Sequence, residues 1–214
     1  YYQLGDLSNA VDIATKIKTL ATQHSLESVA AHSYKDIGFY RYLKGDNTLA
    51  LQAYDNSLVI FKRLDNKLQQ ANLCSNIGLV HVLLGNTLDA FTHYQCADDI
   101  YQDYGSAQDK AIVQQNIAGL YLHLRRSDIA IKMYLEVIDM LLVLDDQLAL
   151  AKAYGDLGLA YKSSGQLSKA KSYLYKSLDF FIEQNSPYNI ASQLNNIAEM
   201  YNQLKQFDKA IIYA

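Results

Sequence analysis

An all-α fold, a superhelix of stacked antiparallel helical hairpins, is predicted by three observations. Residue columns recur every 40 positions along the chain. Within each repeat the apolar and small residues follow a helical period. Helix breakers are scarce: one proline and ten glycines in 214 residues disfavour an all-β chain.

The column Ala10, Ala50, Ala90, Ala130, Ala170 and Ala210 is the clearest. Four residues on stand Tyr54, Tyr94, Tyr134 and Leu174. Five residues before the alanines come Gly5, Gly45, Gly85, Arg125, Gly165 and Lys205. A second small column is Gly38, Gly78, Ala118, Gly158 and Ala198, preceded in turn by Ile37, Ile77, Ile117, Leu157 and Ile197. A third is Ala31, Ala71, Ala111, Ala151 and Ala191. A fixed period of this length means a repeat architecture.

In the first helix of a repeat, Ala31, Tyr34, Ile37, Gly38 and Arg41 form one stripe of a 3.6-residue period. First helices are expected near 27–44, 67–84, 107–124, 147–164 and 187–204. The glycine at 45 suits a left-handed stop between the two helices of a hairpin. Arg125 and Lys205 take the same place, at roughly 1–2 kcal/mol each if they keep that conformation. Second helices are expected near 7–24, 47–64, 87–104, 127–144 and 167–184, with another starting near 207. Their inner stripe is Ala50, Tyr54, Ser57 and Phe61. Asp65-Asn66, Gly105-Ser106, Asp145-Asp146 and Asn185-Ser186-Pro187 carry helix-capping chemistry between repeats, with Pro187 at a first helical position. The chain thus divides into the second helix of a cut repeat (1–26), full repeats 27–66, 67–106, 107–146 and 147–186, and a partial repeat 187–214, in one array. A lone hairpin of this size cannot cover its own apolar face, so the repeats must stack.

These columns resemble the tetratricopeptide signature, which reads here Tyr154-x-x-Leu157-Gly158-x-x-Tyr161-x-x-x-Gly165-x-x-x-x-Ala170. The spacing departs from the common 34-residue form by six residues per hairpin and is similar to the repeats of kinesin light chains, spindle-orientation adaptors and bacterial sensor proteins. The resemblance implies a right-handed superhelix whose concave groove, lined by first helices, binds a peptide or partner protein. It implies no catalytic residues. A sensory or regulatory part of a bacterial signalling protein is the leading expectation. A scaffold of a larger assembly and a regulatory segment of a multi-domain enzyme are the alternatives.

On the first helices, the face away from the second helix carries Asp36, Asn76, Asn116, Asp156 and Asn196. Side-chain amides and carboxylates in such a ladder can bond an extended peptide backbone, as a similar ladder does in kinesin light chains. The alternative is that they bond neighbouring repeats to one another. One turn to either side lie His32, Asn72 and Lys152 in one column and Phe39 and Leu79 in the other. These ten residues are the expected groove. The chaperone-binding subfamily clamps a carboxylate with Lys and Asn; here the matching positions hold Lys35, Ser75, Gln115, Gly155 and Asn195, so that clamp is missing.

Other chemistries find little support. The net charge of −3, with both signs interspersed, gives no basic face for nucleic acid. No metal or cofactor is expected: none of the five histidines has a helical i, i+4 ligand partner, and no phosphate loop or nucleophile elbow occurs. His81 occupies a tyrosine column and reads as packing. Cys74 and Cys96 read as two separate packing thiols. No apolar run approaches the roughly 20 residues of a membrane span, and the cytoplasm is the favoured compartment, with the periplasm as alternative. Tyr1 and Ala214 fall inside the repeat, so the chain is expected to be cut from a longer protein and its ends to self-associate.

Overall fold

The computed structural model describes residues 4–213. Tyr1 and Ala214, on which the expectation of cut ends rests, lie outside the described residues. Eleven helices are found among the described residues: α1 (Leu4–Gln23), α2 (Glu27–Leu43), α3 (Asn47–Arg63), α4 (Lys67–Leu83), α5 (Thr87–Tyr104), α6 (Ala107–His123), α7 (Ser127–Leu144), α8 (Gln147–Ser163), α9 (Leu167–Glu183), α10 (Pro187–Gln203) and α11 (Phe207–Tyr213). The chain divides into two compact units, residues 1–113 and 114–214, and the division falls inside α6. In the first unit each of α1 to α4 packs on the next helix in sequence. In the second, α7 packs on α8, α8 on α9, α9 on α10 and α10 on α11, and α10 also touches α8.

The turn inside each hairpin has one geometry. At Gly45 the chain turns with φ 81°, the Gly45 amide donates to the Tyr42 carbonyl at 2.9 Å, and the Asp46 amide donates to the Arg41 carbonyl at 2.9 Å. This is the left-handed helix stop that satisfies the last carbonyls. Arg125 (φ 61°) and Lys205 (φ 57°) adopt the same turn without being glycine.

The turns between repeats use a different residue set. Ser25, Asp65, Asp145 and Asn185 all have positive φ, and Asp and Asn tolerate that region because their short polar side chains bond locally. Gly105 is the exception: it is extended (φ −87°, ψ 153°). There Ser106 and Asp109 form a reciprocal cap on α6. The Ser106 amide donates to the Asp109 carboxylate at 2.9 Å, and the Asp109 amide donates to the Ser106 hydroxyl at 3.1 Å.

Small residues set the approach of paired helices. A Cβ at Gly38 would lie 2.5 Å from the ring of the fully buried Tyr54, one at Gly78 would lie 2.7 Å from the ring of Tyr94, and one at Gly158 would lie 2.8 Å from Leu174. The large residue four positions after each column alanine therefore fills the space that the missing Cβ leaves. Ala50, Ala90, Ala130 and Ala170 are themselves completely buried. Ser57, also fully buried, donates its hydroxyl to the Ala31 carbonyl at 2.7 Å and so ties α3 to α2.

One expectation is overturned. Cys74 and Cys96 are not separate thiols but a disulfide joining α4 to α5, with Cα atoms 6.2 Å apart. The register explains it. Position 74 of the first helix faces position 96 of the second across the hairpin, and the matching pair one unit on is Tyr154 against Lys176, with the ammonium 5.2 Å from the ring centre. Two cysteines distant in sequence thus fall on a contact that the hairpin makes in any case.

Candidate functional site

Four of the ten expected groove residues line one cleft of the first unit, of about 320 Å³: Asp36 and Phe39 from α2, and Asn72 and Asn76 from α4. Lys35, Ser75, Tyr101, Asp109 and Ile112 complete its walls. The face of each first helix that points away from its second helix supplies most of them, because the second helix takes the Ala-Tyr-Ile-Gly stripe. Phe39 and Ile112 offer apolar surface, 44% and 45% exposed. The Asn76 side chain makes no hydrogen bond among the described residues, so its donor and acceptor both remain open. Asn72 is held: the Tyr101 hydroxyl donates to its Oδ1 at 2.7 Å. Burial, helped by the nearby Asp109, pushes the Tyr101 phenol up to about 12, so it stays a donor at neutral pH. Lys35 is directed to Gln69, donating to Oε1 at 3.0 Å.

The remaining expected residues are placed differently. His32 sits edge-on to Phe61 at 4.9 Å, with Nδ1 2.8 Å from the Ser28 carbonyl, and lies outside the cleft lining. Leu79 is half-buried. In the second unit Asn116 and Asn196 are half-buried and Lys152 is exposed. Asp156 is engaged with its neighbouring first helix: the Gln115 amide donates to its carboxylate at 2.7 Å. Burial raises the Asp156 carboxyl to about 6, with Gln115 and Lys152 pulling the other way. At this rung the ladder bonds repeat to repeat, the alternative that the column left open.

Tyr101, Asp109 and Ile112 were absent from the expected set as contributors to the cleft. Tyr101 lies on a second helix, where the column Phe61, Tyr101, Leu141 and Phe181 reads as core. Its hydroxyl was the available signal, since a buried phenol needs a partner.

Stacked side chains mark the hairpin ends. His81 and His93 lie with ring centres 5.4 Å apart and planes at 12°, and burial followed by the His81 ring lowers His93. The same positions elsewhere hold Tyr161 on Tyr173, at 5.6 Å, and Tyr201 on Tyr213, at 5.6 Å. His81 is therefore a packing residue, as its column implies. Among the described residues no group of three or more His, Cys, Asp or Glu side chains is placed to hold a metal ion, and no helix is long and apolar enough to cross a membrane.

The paired helices, the left-handed hairpin stops and the Gly-against-large packing define a helical-hairpin repeat protein. Residues 106–183 match the tetratricopeptide repeat family. No curated protein matches the chain. Solved structures share its fold. BtubC (BKLC) from P. vanneervenii is 21% identical with a TM-score of 0.75, over 99% of this chain and 87% of that one. A Rap protein complexed with competence and sporulation factor is 19% identical with a TM-score of 0.77, over 88% of this chain and 52% of that one. A STAND signal-transduction ATPase with a tetratricopeptide repeat sensor, from Pyrococcus horikoshii, is 14% identical with a TM-score of 0.74, over 97% of this chain and 35% of that one. The chain thus spans about half the length of the Rap protein and about a third of the STAND protein. Tetratricopeptide repeats in general mediate protein–protein interaction.

Proposed function

We propose that this chain is one array of tetratricopeptide repeats that binds a peptide or a segment of a partner protein, as the sensory or regulatory part of a larger bacterial signalling protein. The observation that carries the reading is the cleft of the first unit. It combines open amide groups at Asn76, an exposed carboxylate at Asp36 and apolar surface at Phe39 and Ile112. An extended backbone would exchange hydrogen bonds with Asn76, and an aliphatic side chain would rest on Phe39 or Ile112. The factor held by the similar Rap protein and the sensor role of the similar STAND protein agree with this reading. No catalytic role is assigned to the chain, and its ligand is bound rather than transformed.

The test is selection from a displayed library of random peptides on the whole chain, followed by calorimetry of the selected peptide on Asn76→Ala and Asn116→Ala. Asn76→Ala should weaken binding by about 0.5–1.5 kcal/mol, the worth of one hydrogen bond. Asn116→Ala tests whether the ladder of the second unit takes part. Unchanged affinity in Asn76→Ala, with unchanged helicity, would remove the cleft from the binding surface.

A further inference from the structure

A second polar cluster lies in the second unit, on α9, α10 and α11, and owes nothing to the cleft of the first. Three phenols meet there. The Tyr175 hydroxyl donates to that of Tyr213 at 2.7 Å and lies 3.3 Å from that of Tyr201. Two lysines bracket them. The Lys171 ammonium is 5.7 Å from the Tyr175 ring centre and 5.9 Å from that of Tyr201, and Lys209 is 5.6 Å from Tyr201.

Hydrogen accounting shows what the cluster lacks. Each phenol brings one donor proton, and two contacts join the three oxygens. Tyr175 has a single proton, so in one contact it donates and in the other it accepts. Since Tyr175 donates to Tyr213, it accepts from Tyr201, and the Tyr213 proton has no acceptor among the three hydroxyls. The lysines add to the surplus. Neither Lys171 nor Lys209 forms an ion pair among the described residues, and Lys209 donates to the neutral Gln206 amide oxygen at 2.9 Å. Lys171, through a hydrogen bond and its charge, and Lys209, through its charge, both act on Tyr201. The hydrogen bond with Tyr175 first, and then the hydrogen bond and charge of Lys171 and the charge of Lys209, hold Tyr201 below the usual phenol range, while burial raises its partner Tyr175. Tyr201 is 4% exposed while both lysines are exposed, so the donors converge at the surface over a buried ring.

We propose that Lys171, Lys209 and the Tyr175–Tyr201–Tyr213 hydroxyls form an oxyanion-binding site, for the carboxylates or phosphoryl groups of an acidic ligand. An oxyanion would accept the free phenolic proton and neutralise two ammonium groups, and hydrogen bonds between charged partners are the strong ones. Packing alone explains the stacked rings, since Tyr161 and Tyr173 stack in the same way. It does not explain a donor surplus beside two ammonium groups that form no ion pair among the described residues.

The experiment titrates the whole chain with inorganic phosphate and, separately, with a triglutamate peptide, following the ring resonances of Tyr175, Tyr201 and Tyr213 by NMR. Saturable shifts with phosphate alone identify phosphoryl groups as the ligand chemistry. Shifts with triglutamate alone identify carboxylates, and shifts with both identify a general oxyanion site. The double variant Lys171→Met, Lys209→Met alters exposed side chains and should keep its helicity. It should bind at least about tenfold more weakly, the effect expected from about 1.4 kcal/mol. Tyr213→Phe keeps the stacked ring and should weaken binding less. Absence of saturable shifts with either probe, or equal shifts in the double variant, would overturn the proposal.

Discussion

The hairpins α4–α5 and α8–α9 occupy corresponding positions in two repeats and solve the same packing problem with different chemistry. Where Cys74 is bonded to Cys96 in the first, Tyr154 receives the Lys176 ammonium in the second. Where His81 stacks on His93, Tyr161 stacks on Tyr173. The backbone register is the same, and a Gly faces a large side chain in both, Tyr94 in one and Leu174 in the other. The lesson is that the repeat fixes which positions touch and leaves open what the contact is made of. A covalent bond, an imidazole pair and a cation over a ring are interchangeable answers, and they differ in their response to redox conditions, pH and salt.

The largest effect should separate the two hairpins by redox chemistry. Removing the cross-link, by a dithiol reductant or by Cys96→Ser, should destabilise the first unit by about 3 kcal/mol, the chain-entropy value for a loop of this length. Hydrogen exchange along α4 and α5 should accelerate while α8 and α9 change little. Equal acceleration in both hairpins would show that the two contacts are not independent.

Overpacking probes what the hairpins share. Ala90→Phe and Ala130→Phe each place a ring at a position with no exposed surface and should cost roughly 1–3 kcal/mol or more in thermal melts. Two melts that match the unaltered chain would contradict the common register.

Acid titration should distinguish the ladder rungs. The Asp156 carboxyl is raised to about 6 in the folded chain from an ordinary value of 3.8. Below about pH 4 it is protonated in both states and burial costs nothing. As pH rises from about 4 to 6 the unfolded chain releases this proton first, so its contribution turns against folding, and above 6 the loss is constant. Asp156→Asn keeps an acceptor for Gln115 and should be more stable than the unaltered chain at pH 7, on the order of 1–2 kcal/mol. The gain should vanish below pH 4. A gain that persists in acid would trace it to something other than the proton.

The smallest effect concerns the hairpin stops. Arg125→Gly and Lys205→Gly release strain of roughly 1–2 kcal/mol but add chain freedom worth roughly 0.5–1 kcal/mol to the unfolded state. A net gain under about 1 kcal/mol is expected in denaturant melts. Gly45→Arg and Gly85→Arg should show the reverse.

Much of this molecule was legible in the 40-residue columns. Helix order, the hairpin stops at Gly45, Gly85 and Gly165, and the strained Arg125 and Lys205 all follow from the local rules of helix period and left-handed caps, which act over a few residues. The apposition of Gly38 with Tyr54 follows as well, because a fixed hairpin register converts one spacing into one contact. Tertiary structure alone decided the rest. The register places Cys74 opposite Cys96, but that their Cα atoms come within 6.2 Å and the two are bonded was decided by how α4 and α5 pack. Asp36 and Asn76 open onto a cleft while Asp156 is bonded to Gln115, although all three stand in one sequence column. Whether a polar side chain faces solvent or a neighbour depends on the reach of residues on another helix: Gln115 bonds Asp156, whereas Lys35, at the corresponding place for Asn76, is directed to Gln69 instead. Such pairings are made in space between residues whose separation along the chain carries no signal, and only the packed helices select them.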